Sequence, residues 1–216
     1  DIINQFNKKN FSKIIEGNRK WEEFQVGAID PFAKFIEKWV PQYESYEPQP
    51  RYKTGHNLVV VLSDCHYGCY SDGKKLFRGK GHDTDYTVSC VKSYYQRVLD
   101  DIDALNLAIE SVTILSLGDQ IHTASPYGTT TKGTQVRSDY LEEEMFEIAF
   151  NSLTEFVYNI SKIAPVTKVV ALKGNHCGQL DLILFKTLSV YFKDQKNISF
   201  KLVSAPATSF RERNTF

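Results

Sequence analysis

Several things are missing from this chain, and each absence narrows its reading. No apolar run approaches the roughly 18 residues of a membrane-spanning helix. The N-terminus, Asp1-Ile2-Ile3-Asn4, has no basic-then-apolar secretion signal and no initiator Met, so a processed or excerpted chain is expected. Neither sign of charge dominates: 26 Lys and Arg balance 26 Asp and Glu, and the isoelectric point is about 7.1. Without a global basic bias, a polyanion must be held by a local patch or through a metal. Cysteine is scarce. Cys65, Cys69, Cys90 and Cys177 do not make a disulfide scaffold in 216 residues, so a reducing, cytoplasmic setting is expected. There is no internal repeat and no low-complexity tract. What is present suits one sizeable domain: 42% hydrophobic residues, enough for a core, and an ordinary 24% charged.

Periodicity divides the chain into three parts. Residues 1–40 read as helical. Asp30-Pro31 supplies an N-cap with Pro at the first helical position, and Phe32, Phe35, Ile36, Trp39 and Val40 form one apolar stripe ending at Pro41. That stripe would pack on the chain's own body or on a protein partner. Residues 41–56 hold three prolines and no period, and read as a linker that includes a solvated His56. From residue 57 to 216, strands and helices alternate. Asn57–Ser63, Ser111–Leu117 and Val166–Leu172 are short apolar runs suited to strands buried on both faces. Helical spacing covers 85–107, with Cys90 on its apolar side, and 139–162, with Leu141 at the head of its stripe. Residues 179–193 read as a further helix, and 197–203 and the terminal RERNTF as strands. Such alternation implies an α/β fold with crossover units and a largely parallel sheet.

Each of the three buried strands runs into polar residues that can bind a metal: Ser63-Asp64-Cys65-His66-Tyr67-Gly68, Gly118-Asp119-Gln120-Ile121-His122 and Gly174-Asn175-His176-Cys177. In an open α/β sheet the functional crevice lies beyond the carboxyl ends of the strands, so the three ends would share one site. Asp64 and His66 are two apart, and an extended chain would point both to the same side. A carboxylate with an imidazole suits Mn, Fe or Zn better than Mg. Asp119 follows a glycine that permits a tight turn, and its carboxylate can bridge two cations. Asn175 offers a neutral amide oxygen, and His176 beside it can point at a substrate. Two cations roughly 3.5–4 Å apart would activate a hydroxide and clamp a phosphate. Taken singly, Asp64 and Asp119 are also ordinary strand-end turn residues, and Asn175 an ordinary left-handed one. Cys65, Cys69, His66 and Cys177 offer a rival structural zinc site.

In this order and spacing, SDCHYG, GDQIH and GNH resemble the first three motifs of the calcineurin-like metallophosphoesterases, over about residues 57–216. The resemblance implies a metallophosphoesterase-like α/β/β/α sandwich, here its N-terminal portion preceded by the helical segment, with two divalent ions, Mn²⁺ first and Fe or Zn as alternatives. It implies that Asp64 and His66 hold the first metal, that Asp119 bridges both, and that Asn175 holds the second. His176 would contact the phosphate and help protonate the leaving oxygen. His122 is similar to the catalytic histidine at that place in SbcD-type nucleases, and phage and bacterial phosphoesterases look alike. The implied activity is a phosphodiesterase or nuclease acting on DNA or a nucleotide. The alternatives are a phosphomonoesterase or nucleotide phosphatase, a non-catalytic phosphate- or partner-binding module, and a scaffold docking through its N-terminal helices.

The pattern departs from the family in two places. Cys177 stands where an acidic residue usually follows Gly-Asn-His, and Asp181 nearby is expected to substitute for it. The family also supplies three further histidines, two in a Gly-His-x-His motif, whereas no histidine follows His176 here, and truncation is the expected explanation. Around the motifs, Lys74, Lys75, Arg78, Lys80 and His82 follow the first, and Lys132 and Arg137 lie in the Thr/Gly-rich insert 123–138 after the second. Both inserts should overhang the crevice, where the cations would hold a polyphosphate or nucleic-acid backbone if they are not simply solvated.

Overall fold

Runs of aliphatic and β-branched residues build the sheet. His56–Leu62 forms β1, Ile109–Ser116 β2, Thr167–Leu172 β3 and Ile198–Val203 β4. Thr84–Ala104 (α1), Glu142–Ser161 (α2) and Gln179–Tyr191 (α3) lie between them. The computed structural model describes residues 55–73, 81–123 and 128–203. The expected helices of 1–40, the cations Lys74, Lys75, Arg78 and Lys80, and the terminal strand lie outside the described residues, as does all but the end of the expected linker. That linker ends sooner than expected: His56 already pairs with Ile109 as the first residue of β1, with an irregularity before Asn57.

All three strand pairings are parallel, in the order β1-β2-β3-β4. The protein is thus α/β. Consecutive strands are neighbours, and crossovers of one hand in one direction lay successive helices on the same face. Accordingly α2 packs on both α1 and α3, and α3 on β3 and β4. The rows Val60–Ile114–Val169 and Leu62–Ser116–Ala171 are in register and buried. Full burial on both faces holds at the centre, where Val169, Val170 and Ala171 are each 0% exposed, but not for β1. Val59 and Val61 are 40% and 42% exposed. The cause is position: among the described residues β1 is an edge strand, and its side chains alternate between a covered face and an open one.

Local hydrogen bonds set the helix starts. Asp83 caps α1 by accepting from Tyr86 N at 2.8 Å. Asp139 Oδ2 accepts from Thr84 N at 2.7 Å, and its Oδ1 accepts from the Thr84 hydroxyl at 2.6 Å. With Asp139 engaged there, α2 begins at Glu142, later than the periodicity suggests, and Leu141 is an exposed N-cap rather than part of the stripe. Cys90 is also a correction. The buried residues of α1 are Thr84, Thr87, Val91 and Tyr95, so Cys90 falls just off that stripe and is exposed.

Candidate metal centre

Beyond Leu62 the chain leaves extended geometry. Asp64 and His66 both take left-handed backbone conformations, with φ of 54° and 50°, and so does Asp119 at 54°. For non-glycine residues such geometry costs on the order of 1–3 kcal/mol each, and it persists where the surroundings impose it. Here a ladder imposes it. Asp64 N donates to Gly118 O at 3.2 Å, His66 N to Asp119 O at 3.0 Å, Tyr67 N to Gln120 O at 2.7 Å, and His122 N to Tyr67 O at 3.0 Å. The first two motifs are therefore zipped together past the ends of β1 and β2. Asp64 and His66 do meet, with Oδ1 and Nε2 3.8 Å apart, but through left-handed turns and not through the alternation of a strand. Asn175, by contrast, is not left-handed.

The third motif joins through Asp119. Asp119 is 7% exposed, and its Oδ1 accepts from His176 N at 2.6 Å. Two glycines allow this approach. A Cβ on Gly118 (φ +98°) would lie 2.4 Å from Gly174 N, and a Cβ on Gly174 would lie 2.2 Å from Asp119 N and Oδ1. The loops of β2 and β3 therefore touch backbone to backbone.

Three imidazoles converge above this floor. The ring centroid of His66 is 5.2 Å from that of His122 and 4.6 Å from that of His176, and His122 and His176 are 5.9 Å apart. His66 Nδ1 faces His122 Nδ1 at 3.3 Å, which leaves His66 Nε2 toward Asp64. Ligand atoms from the three rings lie within 4.8 Å of one another. His176 Nδ1 is buried without a hydrogen-bond partner, an orphan that a further ligand would satisfy. Burial, reinforced by the charges of His66 and His176, pushes the His122 pKa down to about 4. Burial and His176 also lower that of His66. Both rings are thus neutral near pH 7, the form that accepts a hydrogen bond or binds a metal.

Asn175 is exposed, and its carbonyl accepts from the Thr131 hydroxyl at 2.5 Å, while Thr131 N donates to His176 O at 2.9 Å. The insert after the second motif is therefore docked on the third. Lys132 and Arg137 on this insert are exposed. Its other end is tied to the first loop by Tyr70 N donating to Arg137 O at 3.2 Å. His82 is engaged elsewhere, its Nε2 2.9 Å from the Thr87 hydroxyl. Thr131 carries no signal in the sequence, being one threonine in a Thr/Gly-rich stretch.

Asp181 does not take the role expected of it. It is 0% exposed and orients backbone, not the His176 ring. Oδ2 accepts from Asp119 N at 2.8 Å and Gly174 N at 2.9 Å, and Oδ1 from Gln120 N at 2.9 Å. The buried Cys177 thiol lies close beside it. Asp119, Cys177 and Asp181 are close enough for a metal, but these internal bonds already occupy Asp181 and one oxygen of Asp119. Among the described residues Cys65 and Cys69 belong to neither candidate group, so the four-residue zinc site is not assembled. Also among them, no helix is long and apolar enough to cross a membrane.

No family model, curated protein or solved structure matches this chain. Function must therefore be argued from the site.

The lowered His122 pKa has a sign that can be measured. Between pH 6.5 and about 4 the unfolded histidine is protonated while the folded one resists, so stability falls as pH drops through that window. One such group adds a slope of at most about 1.4 kcal/mol per pH unit. Chelator-treated His122→Asn should show a shallower loss of denaturant stability from pH 6.5 to 4.5 than wild type. Equal slopes would contradict the assignment.

Proposed function

We propose that the chain is a metal-dependent phosphoester hydrolase, a phosphodiesterase of nuclease type on a metallophosphoesterase-like α/β/β/α sandwich. The observation that carries this reading is the convergence of three strand-end motifs: Asp64 beside His66, His66 beside His122 and His176, and Asp119 hydrogen-bonded to the His176 backbone. Chance turn residues have no reason to meet in this way. The donor set, carboxylates with neutral imidazoles, fits Mn²⁺, Fe or Zn, and the orphaned His176 Nδ1 fits a site that takes a ligand.

Asp64, His66, Asp119 and Asn175 would hold two divalent ions. When bound, such a pair supplies a Lewis acid for phosphoryl oxygens and lowers the pKa of the attacking water. The chain's own residues do the rest. His122 Nδ1 faces His66 Nδ1 and so orients its ring, the kind of outer contact that tunes a ligating histidine. A histidine there is also what favours the nuclease type. His176, at the edge of the cluster, contacts the phosphate and gives a proton to the leaving oxygen. Lys132 and Arg137, on the insert docked to Asn175 and His176, contact the phosphates of DNA or a nucleotide.

The test compares a diester and a monoester model substrate in Mn²⁺, Fe²⁺ and Zn²⁺. Metal-dependent cleavage favouring the diester is expected, with kcat of His176→Ala lowered roughly 10²–10⁴-fold. A preference for the monoester would favour the phosphomonoesterase or nucleotide phosphatase. Phosphate binding with no turnover in any metal would leave a binding module and overturn the hydrolase.

A further inference from the structure

We infer that Asp181 is the positioning residue of this site: a buried carboxylate that sets the spacing between the Gly118–Gln120 turn and the Gly174–His176 arm. The inference rests on the metal-site reading above. A single oxygen, Oδ2, accepts from Asp119 N at 2.8 Å and from Gly174 N at 2.9 Å, so it touches one residue of each arm. Oδ1 takes Gln120 N at 2.9 Å. Three backbone donors, two from one strand end and one from the next, thus converge on one fully buried group.

The surroundings make this group the controlling one. Where the arms meet, Gly118 and Gly174 have no side chains to interlock, and a Cβ on either would strike the opposite backbone. Contact of the two backbones sets how close the arms can come, and hydrogen bonds keep them from parting. Asp119 is meanwhile at φ 54°, held at its carbonyl by His66 N and at its amide by Asp181. Asp181 itself cannot drift. It lies in the first turn of α3, whose Leu184, Phe185 and Leu188 are each 0% exposed. The buried Cys177, the residue right after His176, lies close to the same carboxylate. Through Asp181 the helix fixes where the Asp119 carboxylate and the Asn175-His176 pair stand. Its hydrogen bonds reach the two arms at backbone amides, including that of Asp119.

The experiment measures Mn²⁺ affinity of the full chain by calorimetry in wild type, Asp181→Asn and Ile160→Ala. Asparagine keeps the shape, but its amide turns N–H toward backbone donors. Ile160 is fully buried in the last turn of α2, at the end of the sheet opposite the motif loops, so its truncation lowers stability without touching the site. We expect Asp181→Asn to weaken Mn²⁺ binding about tenfold or more and Ile160→Ala to bind as wild type. Asp181→Asn binding as tightly as wild type, or Ile160→Ala losing as much, would overturn this inference alone. Failure of wild type to bind Mn²⁺ would overturn the metal reading and this inference with it. Amide exchange on the wild-type chain is the second arm, decisive if Asp181→Asn does not fold. The amides of Asp119, Gln120 and Gly174 should be protected like those of the central strands, and exchange at the rate of open loops would rule the anchor out.

Discussion

Asp119→Asn is expected to abolish or cripple divalent-metal binding while leaving the chain folded, with affinity for Mn²⁺ down at least about 100-fold. Three features of Asp119 lead to that expectation. It is nearly buried, so its charge sits in a poorly hydrated floor where a cation is its natural partner. One carboxylate oxygen is committed to His176 N, which leaves the other for a metal. Its backbone is held by Asp181, so the side chain has little freedom to retreat. Asparagine preserves a carbonyl for the His176 amide while removing the charge and replacing the second oxygen with an NH2 group. The choice matters, because Asp119→Ala would also cut the link between the second and third motifs and confuse lost folding with lost binding. Calorimetry beside a thermal melt separates the two. Unchanged Mn²⁺ binding in a folded Asp119→Asn would mean that this crevice is not the metal site.

Gly118→Ala should be strongly destabilising. The added Cβ would meet Gly174 N at 2.4 Å, Gly174 Cα at 2.5 Å and Lys173 C at 2.9 Å. All three are backbone atoms, which cannot rotate away as a side-chain tip could. The φ of +98° adds a conformational cost, since a Cβ disfavours that region. Together these should remove about 3 kcal/mol or more of stability, measured by denaturant unfolding. Gly133→Ala is the control. Its φ is +81° but nothing lies within 4 Å of the added Cβ, so it carries the conformational cost alone, about 1–2 kcal/mol. If Gly118→Ala costs no more than Gly133→Ala, the close approach of the β2 and β3 loops is wrong, and with it the floor on which Asp119 sits.

Much of this architecture was legible in the residues. The runs NLVVVLS, SVTILSL and VTKVVAL announce strands because continuous β-branched sequence suits a sheet interior, and each strand lies close to where its run predicts. The helices follow from the 3.6-residue period, and the parallel order from the alternation of the two. Asp64, His66, Asp119 and His176 were marked by their place just beyond strand ends.

What the sequence could not reveal was each residue's neighbour. The open face of β1 depends on its being an edge strand, and a run of valines looks the same at the edge as at the centre. Cys90 and Leu141 lie outside the buried stripes that the period predicts for them, because periodicity does not say where a helix begins or which residues bound its stripe. The left-handed turns at Asp64 and His66 come from a ladder to the second motif, so local spacing could not anticipate them.

The division has a physical basis. Secondary structure and strand-end position follow from side-chain periods of two and 3.6, which are local properties that the sequence by itself determines. Contacts such as His122 Nδ1 to His66 Nδ1, or Asp181 to the amides of Asp119 and Gly174, join different elements. Their geometry is set by sheet register, by two glycines that let backbones touch, and by a helix packed on the sheet. Only the tertiary structure decides those, and it gives Asp181, expected from the motif to stand in for the acid after His176, the backbone amides of two motif loops.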